Sequence, residues 1–393
     1  MADRGAFEVG DKRAYYLSDP EGGNPLAYQG LSFGLYGRSV ELLGDRASDE
    51  ARTTLRLVAQ ASSGLIGPDG DVAYHGRSQE QGWALALTAF GAEAAVAFAD
   101  ASAARFRPLA QRALVRLRDV HGVGAKGLFL TPSLRDDLRD RLHGVDTYAG
   151  VVGYSGLTLV AANWAADLHD SEDPPADDGG RDTGHRYALN PFKTGFSVVR
   201  RDGLWFAVRC AAKTAADDLR YDFGLVALKT RNGANGWVDV VRPRPHTRTG
   251  PDSAGPVLRR SAGVGLPEGE DMTIGADGTV TVTGGFRTVA GDWLRRGVRF
   301  RFQPHEGGVR LIFPTERGDR IKYSVFFRNG DGHPTVGRRS IADSRQRVTF
   351  SPDAEVAFDA DEYASGRDAR LVRANLYFPE SDGSPVHIVV RPT

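Results

Sequence analysis

Cysteine is all but missing from this chain: its 393 residues contain one, Cys210. A single thiol excludes a disulfide framework and any zinc site built on cysteine pairs. Its place in an apolar, strand-like run predicts a buried and inert group. Lysine is also scarce, standing only at positions 12, 126, 193, 213, 229 and 322, so the 50 basic residues are mostly arginine and are matched by 50 acidic ones. Zero formal charge removes any bulk argument for a nucleic acid or an anionic membrane as partner, and an acidic ligand has to be met locally. No uninterrupted apolar run approaches the roughly 20 residues of a membrane span. The first twelve residues lack the apolar centre of a signal peptide, which predicts a soluble chain without an export address. The motifs GxxxxGK[ST] and HExxH are absent. No cofactor and no metal ion is expected.

The 41% apolar content is enough for the cores of two or three domains. Residues 1–47 scatter aromatics among glycine and proline and read as an ordered loop with a short helix. Helical periodicity follows from Ser48, where Leu55, Val58 and Leu65 share a side. Further helices are predicted over 83–100, over 108–120 with Pro108 in the first turn and an Arg-rich exposed face, over 134–142 and over 157–168. Residues 171–184 are acidic, rich in proline and glycine, and read as a solvated linker. Beyond Gly184 the period changes from about 3.6 to 2. Phe196–Arg200 and Trp205–Arg209 flank the turn Asp202-Gly203, and Met272–Ile274 and Thr279–Thr283 flank Asp277-Gly278, each a hairpin signature. The expected fold class is α+β and multidomain: helical hairpins over 1–170, a linker over 171–184 and an antiparallel β-sandwich over 185–393.

The densest chemistry lies in Tyr74-His75-Gly76-Arg77-Ser78-Gln79-Glu80-Gln81-Gly82-Trp83. Ser78 and Gln81 have capping-box spacing, which predicts a helix starting near Ser78. Tyr74, His75 and Arg77 then precede a positive helix end, where an anionic group is favoured. A second cluster, Tyr148-Ala-Gly-Val-Val-Gly-Tyr154 with Gly156 just after it, places two phenols beside three glycines in a loop ahead of a helix that carries Asn163 and Trp164. In the β-half, Arg231-Asn232 stands in a polar turn.

A helical-hairpin domain followed by a linker and a large antiparallel β-domain resembles the polysaccharide lyases built from an (α/α) toroid and a β-sandwich, such as the hyaluronate/chondroitin, heparinase and oligoalginate lyases. Tyr74-His75-Gly76-Arg77 and the Tyr148–Tyr154 cluster carry the local likeness, and the helical half reads as a partial toroid. The resemblance implies β-elimination at a uronic acid of an acidic polysaccharide or oligosaccharide. A base removes the C5 proton, an acid protonates the departing O4, and the C5 carboxylate is neutralised. A proton next to a carboxylate is so weakly acidic that the dianionic intermediate needs positive charge or hydrogen bonds, and acid and base must reach their atoms directly. Carried onto this chain, the resemblance makes His75 the base and Tyr148 or Tyr154 the phenol. Arg77 and Gln79 meet the carboxylate, Arg77 through a bidentate fork. Tyr74, Gln81, Trp83, Asn163 and Trp164 line the substrate, and Arg231 and Asn232 add contacts. It also implies work outside the cytoplasm if the chain lacks its natural N-terminus.

Each of these residues also has a plainer reading. His75 fits a loop histidine bonded to backbone, Gln81 a cap, Trp83 and Trp164 the core, and Arg231-Asn232 an ordinary turn. Two other functions compete with elimination. An inverting glycoside hydrolase would draw its two carboxylates from Asp69, Asp71, Glu80 and Asp146. A non-catalytic carbohydrate-binding protein would need only exposed aromatics.

Overall fold

In a computed structural model of the chain, the described residues are 4–9, 12–17, 26–122, 128, 130–132, 151–169, 183–189, 194–210, 222–231, 236–245, 253–329, 334–368 and 370–393. The chain divides into two compact units, Met1–Asp140 with Val145–Gly179, and Arg141–Gly144 with Gly180–Thr393.

The first unit opens with an antiparallel hairpin, β1 (Arg4–Val9) and β2 (Lys12–Leu17). Helices α1 (Leu26–Leu43), α2 (Asp49–Leu65), α3 (Gly82–Phe98), α4 (Ala103–Arg116) and α5 (Val151–Leu168) follow, with a π turn over Leu117–His121 at the end of α4. Helix α3 is the axis. Every residue from Gly82 to Ala95 is buried, because α1, α2, α4 and α5 all pack on it, and a helix covered on all sides carries no polar stripe. Helix α1 reaches it through glycines. A Cβ on Gly30 would stand 2.6 Å from Thr88 Oγ1, one on Gly34 2.6 Å from the Leu87 carbonyl oxygen, and one on Gly37 3.0 Å from the Ala94 Cβ.

These helices correct several sequence expectations. The aromatic stretch at the N-terminus yields two strands and an eighteen-residue helix instead of a loop and a short helix. Helix α2 is capped as expected, Ser48 Oγ accepting from Ala51 N at 3.2 Å. Helix α4 starts five residues ahead of Pro108, because the Ser102 carbonyl accepts from both Arg105 N and Phe106 N at 3.0 Å. Pro108 therefore sits inside the helix and removes one backbone bond. Helix α5 begins at Val151 instead of Leu157, so Tyr154 stands in its first turn. The helix expected over 134–142 lies outside the described residues.

The second unit is an antiparallel β-sandwich. One sheet orders β3 (Thr183–Leu189), β4 (Thr194–Arg201), β5 (Leu204–Cys210), β6 (Gly224–Arg231) and β7 (Trp237–Asp239) in sequence. Twelve further strands are β8 (Val257–Arg260), β9 (Gly263–Ile274), β10 (Val280–Arg287), β11 (Trp293–His305), β12 (Gly308–Phe313) and β13 (Arg320–Arg328), then β14 (Thr335–Gly337), β15 (Ser340–Ala342), β16 (Gln346–Ser351), β17 (Glu355–Tyr363), β18 (Leu371–Tyr377) and β19 (Val386–Pro392). They form a second sheet in the order 14-15-16-19-12-11-10-9-8-13-18-17. Strands β4 and β5 pair around Asp202-Gly203, with Gly203 at φ +74°, and Gly278 takes φ +77° between β9 and β10, as the Asp-Gly signals predict. Both sheets contribute to one core, Phe206 and Val208 from the smaller, Phe300, Phe302, Leu311 and Ile388 from the larger. Cys210 is buried in this core, as expected, against Gly269, where even a methyl group has no room. Among the described residues no helix is long and apolar enough to cross a membrane.

Candidate functional site

The loop between α2 and α3 is wound tightly by its own backbone. Gly67 N donates to the Asp71 carbonyl at 2.8 Å, Glu80 N to Ala73 at 3.2 Å and Gln81 N to Ser78 at 3.3 Å. Gly76, Ser78 and Glu80 take positive φ of 80°, 61° and 55°, and the two non-glycine residues there carry the steric cost of that region. The helix therefore does not start at Ser78. Gln81 is the N-cap residue of α3, with no side-chain cap bond, and the expected capping box does not form. Gln81 Oε1 instead accepts from the Trp83 indole N–H.

What draws Glu80 out of a helical path is Arg116, the last residue of α4. Its Nη2 lies 3.1 Å and 3.2 Å from the two Glu80 oxygens and 3.6 Å from Asp71 Oδ2, while Nη1 lies 2.5 Å from Asp69 Oδ2. Asp71, Glu80 and Arg116 are buried. Three of the four carboxylates considered for hydrolysis are thus gathered on one guanidinium, and the fourth, Asp146, lies outside the described residues. The helix expected over 108–120, which contains Arg116, was given an Arg-rich exposed face. Burial in this network corrects that.

On the other side of the loop stands a run of rings. The Arg77 guanidinium carbon lies 4.9 Å from the Tyr28 ring centre, Tyr28 meets Trp83 edge-on at 5.8 Å, and Trp83 meets Tyr154 at 6.1 Å. Arg77, Tyr28 and Tyr154 are half-buried, and Trp83 and Gln81 lie buried beneath. Four elements meet here: the loop through Arg77, α1 through Tyr28, α3 through Trp83 and α5 through Tyr154. The arrangement offers a cation, two phenols and aromatic edges on one surface, which suits a ligand with both an anionic group and an apolar ring face.

The other predicted residues are placed differently. His75 is 1% exposed, and its carbonyl accepts from Leu26 N at 3.1 Å, joining the loop to the start of α1. Tyr74 is buried, and its hydroxyl donates to the Leu65 carbonyl at 2.7 Å. Gln79 is buried. Trp164 packs on Phe90 at 5.4 Å with the Arg38 guanidinium 4.6 Å over its ring, and its neighbour Asn163 is exposed. Arg231 is exposed in the other unit, its N–H donating to the Gly203 carbonyl at 2.7 Å. Tyr148 and Asn232 lie outside the described residues.

Tyr28, Arg116 and a second pair, the buried Glu93 with the half-buried His169, were not singled out by sequence. In that pair His169 Nδ1 lies 2.6 Å from Glu93 Oε1, with Arg107 Nε 3.7 Å from Oε2. Burial pushes the Glu93 carboxyl above its ordinary value, against the lowering by His169 and Arg107. The available signal for Arg116 was the excess of acids in the loop, which a buried site must neutralise.

No protein-family model and no curated protein matches the chain. Among solved structures it is similar to a 4-alpha-glucanotransferase from Thermococcus litoralis, with 9% identity, 97% of this chain and 61% of that one covered, and a TM-score of 0.43. It is also similar to a heparan sulfate lyase from Pedobacter heparinus, with 8% identity, coverage of 95% and 60%, and a TM-score of 0.38. A third likeness is to heparinase III, with 10% identity, coverage of 96% and 62%, and a TM-score of 0.38. The chain spans about three fifths of the length of each of these proteins. Likenesses of this degree assign neither activity nor substrate, and what the chain does has to be argued from its own residues.

Proposed function

We propose that the protein cleaves a uronic-acid-containing glycan by β-elimination, with the ring array as its substrate surface. The observation that carries this reading is the continuity from Arg77 through Tyr28 and Trp83 to Tyr154, which sets a guanidinium and a phenol on one half-exposed face. Arg77 meets the uronate carboxylate and offsets the charge that builds up when the C5 proton leaves. Tyr154 holds a transferable proton for the departing O4. A base has to come within hydrogen-bond reach of the proton it takes. His75 is buried, and it secures the loop that carries Arg77. Proton abstraction therefore falls to a tyrosine phenolate, either Tyr148 with Tyr154 as the acid, or Tyr154 itself, which takes the C5 proton and passes it to O4. Gln81 holds the Trp83 indole, and with it the edge on which Tyr28 and Tyr154 rest.

Hydrolysis is the weaker reading, because an inverting pair needs two carboxylates free to face the sugar from opposite sides. Asp69, Asp71 and Glu80 all turn toward Arg116.

The test is the absorbance of a 4,5-unsaturated uronate during incubation with a panel of uronate-containing polysaccharides. The chromophore is expected with the wild type, and its rate falls at least about a hundredfold in Tyr154→Phe, the usual scale for a lost general acid. Arg77→Ala loses activity comparably. Reducing ends without the chromophore would replace elimination by hydrolysis, and binding without any product would make this a carbohydrate-binding surface.

A further inference from the structure

Around β11 the larger sheet of the β-unit has one face in the core and the other in solvent. On β11, Val298, Phe300 and Phe302 are buried while Arg299 and Arg301 are exposed. The strand register carries this solvent face across the sheet. Thr281, Arg301, Ile312, His387 and Ser351 form one row over β10, β11, β12, β19 and β16. Gln303, Arg310, Val389, Thr349 and Ser340 form the next, running on to β15. At about 4.8 Å between strands, five strands span about 19 Å. Two concavities open along these rows. One, of about 610 Å³, is lined by Arg310, Arg339, Ser340, Thr349, Ser351 and His387. The other, of about 480 Å³, is lined by Thr281, Arg299, Arg301, Ile312, Pro314 and Thr315. They adjoin where Ile312 pairs with His387.

The face is basic. The carboxylate next in register to Arg299, Asp271, lies two strands away across Thr283, about 10 Å. Asp353 is taken by Arg338 and Arg339, and Glu306 by Arg391. Arg310 Nη2 lies 2.6 Å from His305 Nε2, and Glu306, whose Oε1 is 3.7 Å from that nitrogen, is shared with Arg391. Positive charge of this kind in concave ground concentrates anions. The His387 imidazole registers it, being held below its ordinary value by burial and then by Arg310 and Arg301.

We infer that this face, on β10, β11, β12, β19 and β16, is a non-catalytic binding surface for an acidic glycan, whose anionic groups meet Arg299, Arg301 and Arg310. Thr281, Thr349, Ser340 and Ser351 stand between the arginines as partners for sugar hydroxyls. Apart from the His387 imidazole no aromatic ring stands in the two rows, which disfavours single-stranded nucleic acid, whose successive bases need stacking platforms. The inference does not depend on the elimination chemistry proposed above, since its readout is binding.

The experiment is affinity electrophoresis of the whole chain through gels containing polygalacturonate, dextran sulfate or neutral dextran, with a DNA duplex as competitor. The wild type is expected to be retarded by the acidic glycans and not by neutral dextran, with the carboxylated and sulfated gels showing which anionic group is preferred. Joint substitution Arg299→Gln, Arg301→Gln and Arg310→Gln weakens retardation about tenfold or more, the combined scale of three exposed charge contacts. Arg338→Gln, whose partner is Asp353, retains it. Unchanged thermal transitions keep the comparison between folded proteins. Retardation equal in the triple variant, absent in the wild type, or reversed by DNA at lower concentration than by free glycan would each overturn the inference. Cleavage retained in the triple variant while its retardation is weakened separates this surface from the ring array.

Discussion

Arg116 Nη2 stands 3.1 Å from Oε1 and 3.2 Å from Oε2 of Glu80, 36 positions earlier in the chain. This one guanidinium holds the α2–α3 loop in its coiled path. Arg116→Met takes the guanidinium away from the buried carboxylates of Asp71 and Glu80, and removing one member of such a network costs about 3–5 kcal/mol. The denaturant midpoint reports it. Arg116→Lys recovers only part, because a single ammonium cannot reproduce a fork that reaches three carboxylates. Joint Arg116→Met and Glu80→Gln is expected to be more stable than Arg116→Met alone. A change below about 1 kcal/mol in Arg116→Met would mean that the loop does not depend on the network.

Gly34 on α1 is a second point of sensitivity. Alanine favours a helix over glycine by about 1 kcal/mol, yet here its Cβ would lie 2.6 Å from the Leu87 carbonyl oxygen and 2.7 Å from the Leu87 Cβ. The obstacle is partly backbone of the central helix, which cannot rotate away. Overpacking of this kind costs about 1–3 kcal/mol, so Gly34→Ala is expected to destabilise on balance. Gly153→Ala on α5, where an added Cβ meets nothing within 4 Å, is expected to stabilise. Thermal unfolding of the two variants in parallel checks the opposite signs.

The same glycines explain why part of the helical unit was illegible. Gly30, Gly34 and Gly37 look like breaks in a stretch already rich in glycine, so it read as a loop with only a short helix. Only α3, a distant partner in sequence, makes them an asset. Gly153 and Gly156 hid the start of α5 in the same way. The β-unit was easier because its signals are local. Alternation as in Val298–Phe302 and turns such as Asp202-Gly203 state both strand and reversal within a few residues.

The site was half legible. The loop was recognisable from its concentration of functional groups, but Ser78 and Gln81 matched a capping pattern that three residues of positive φ exclude. Arg77, Trp83 and Tyr154 do come together. The ring that joins them, Tyr28, lies about fifty positions from its partners in the loop and α3, and no spacing rule connects them.

Glu93 supplies a pH test. Its folded value is raised above 4.5, chiefly by burial. The folded protein thus keeps this proton when the unfolded chain has released it. Stability is expected to fall as pH climbs from about 4.5 through the folded value, and to lose nothing more from this group above it. Glu93→Gln cannot ionise, and its amide oxygen can still accept from His169. Denaturant midpoints between about pH 4 and pH 7 should therefore shift in favour of the variant as pH rises. A constant difference across that range would remove Glu93 from the account.

His387 runs in the opposite direction. Its value lies below 6.5, first from burial and then from Arg310 on β12 and Arg301 on β11, while β16 presents only Ser351 across from it. Arg339 is the other charge in the same concavity. The unfolded chain takes up this proton first as pH falls through 6.5, so the neutral imidazole's contribution is fully present above that pH and is lost toward the folded value. An acidic glycan on the basic face would offset Arg301 and Arg310 and make the charged imidazole easier to form. Binding should then take up a proton and tighten on acidification, with the imidazole signal in a nuclear magnetic resonance titration moving to higher pH when polygalacturonate is added. In His387→Gln the affinity should lose that pH dependence while keeping its dependence on salt, because the arginines that set the attraction remain. An imidazole that titrates identically with and without the glycan would place the ligand somewhere other than these two rows.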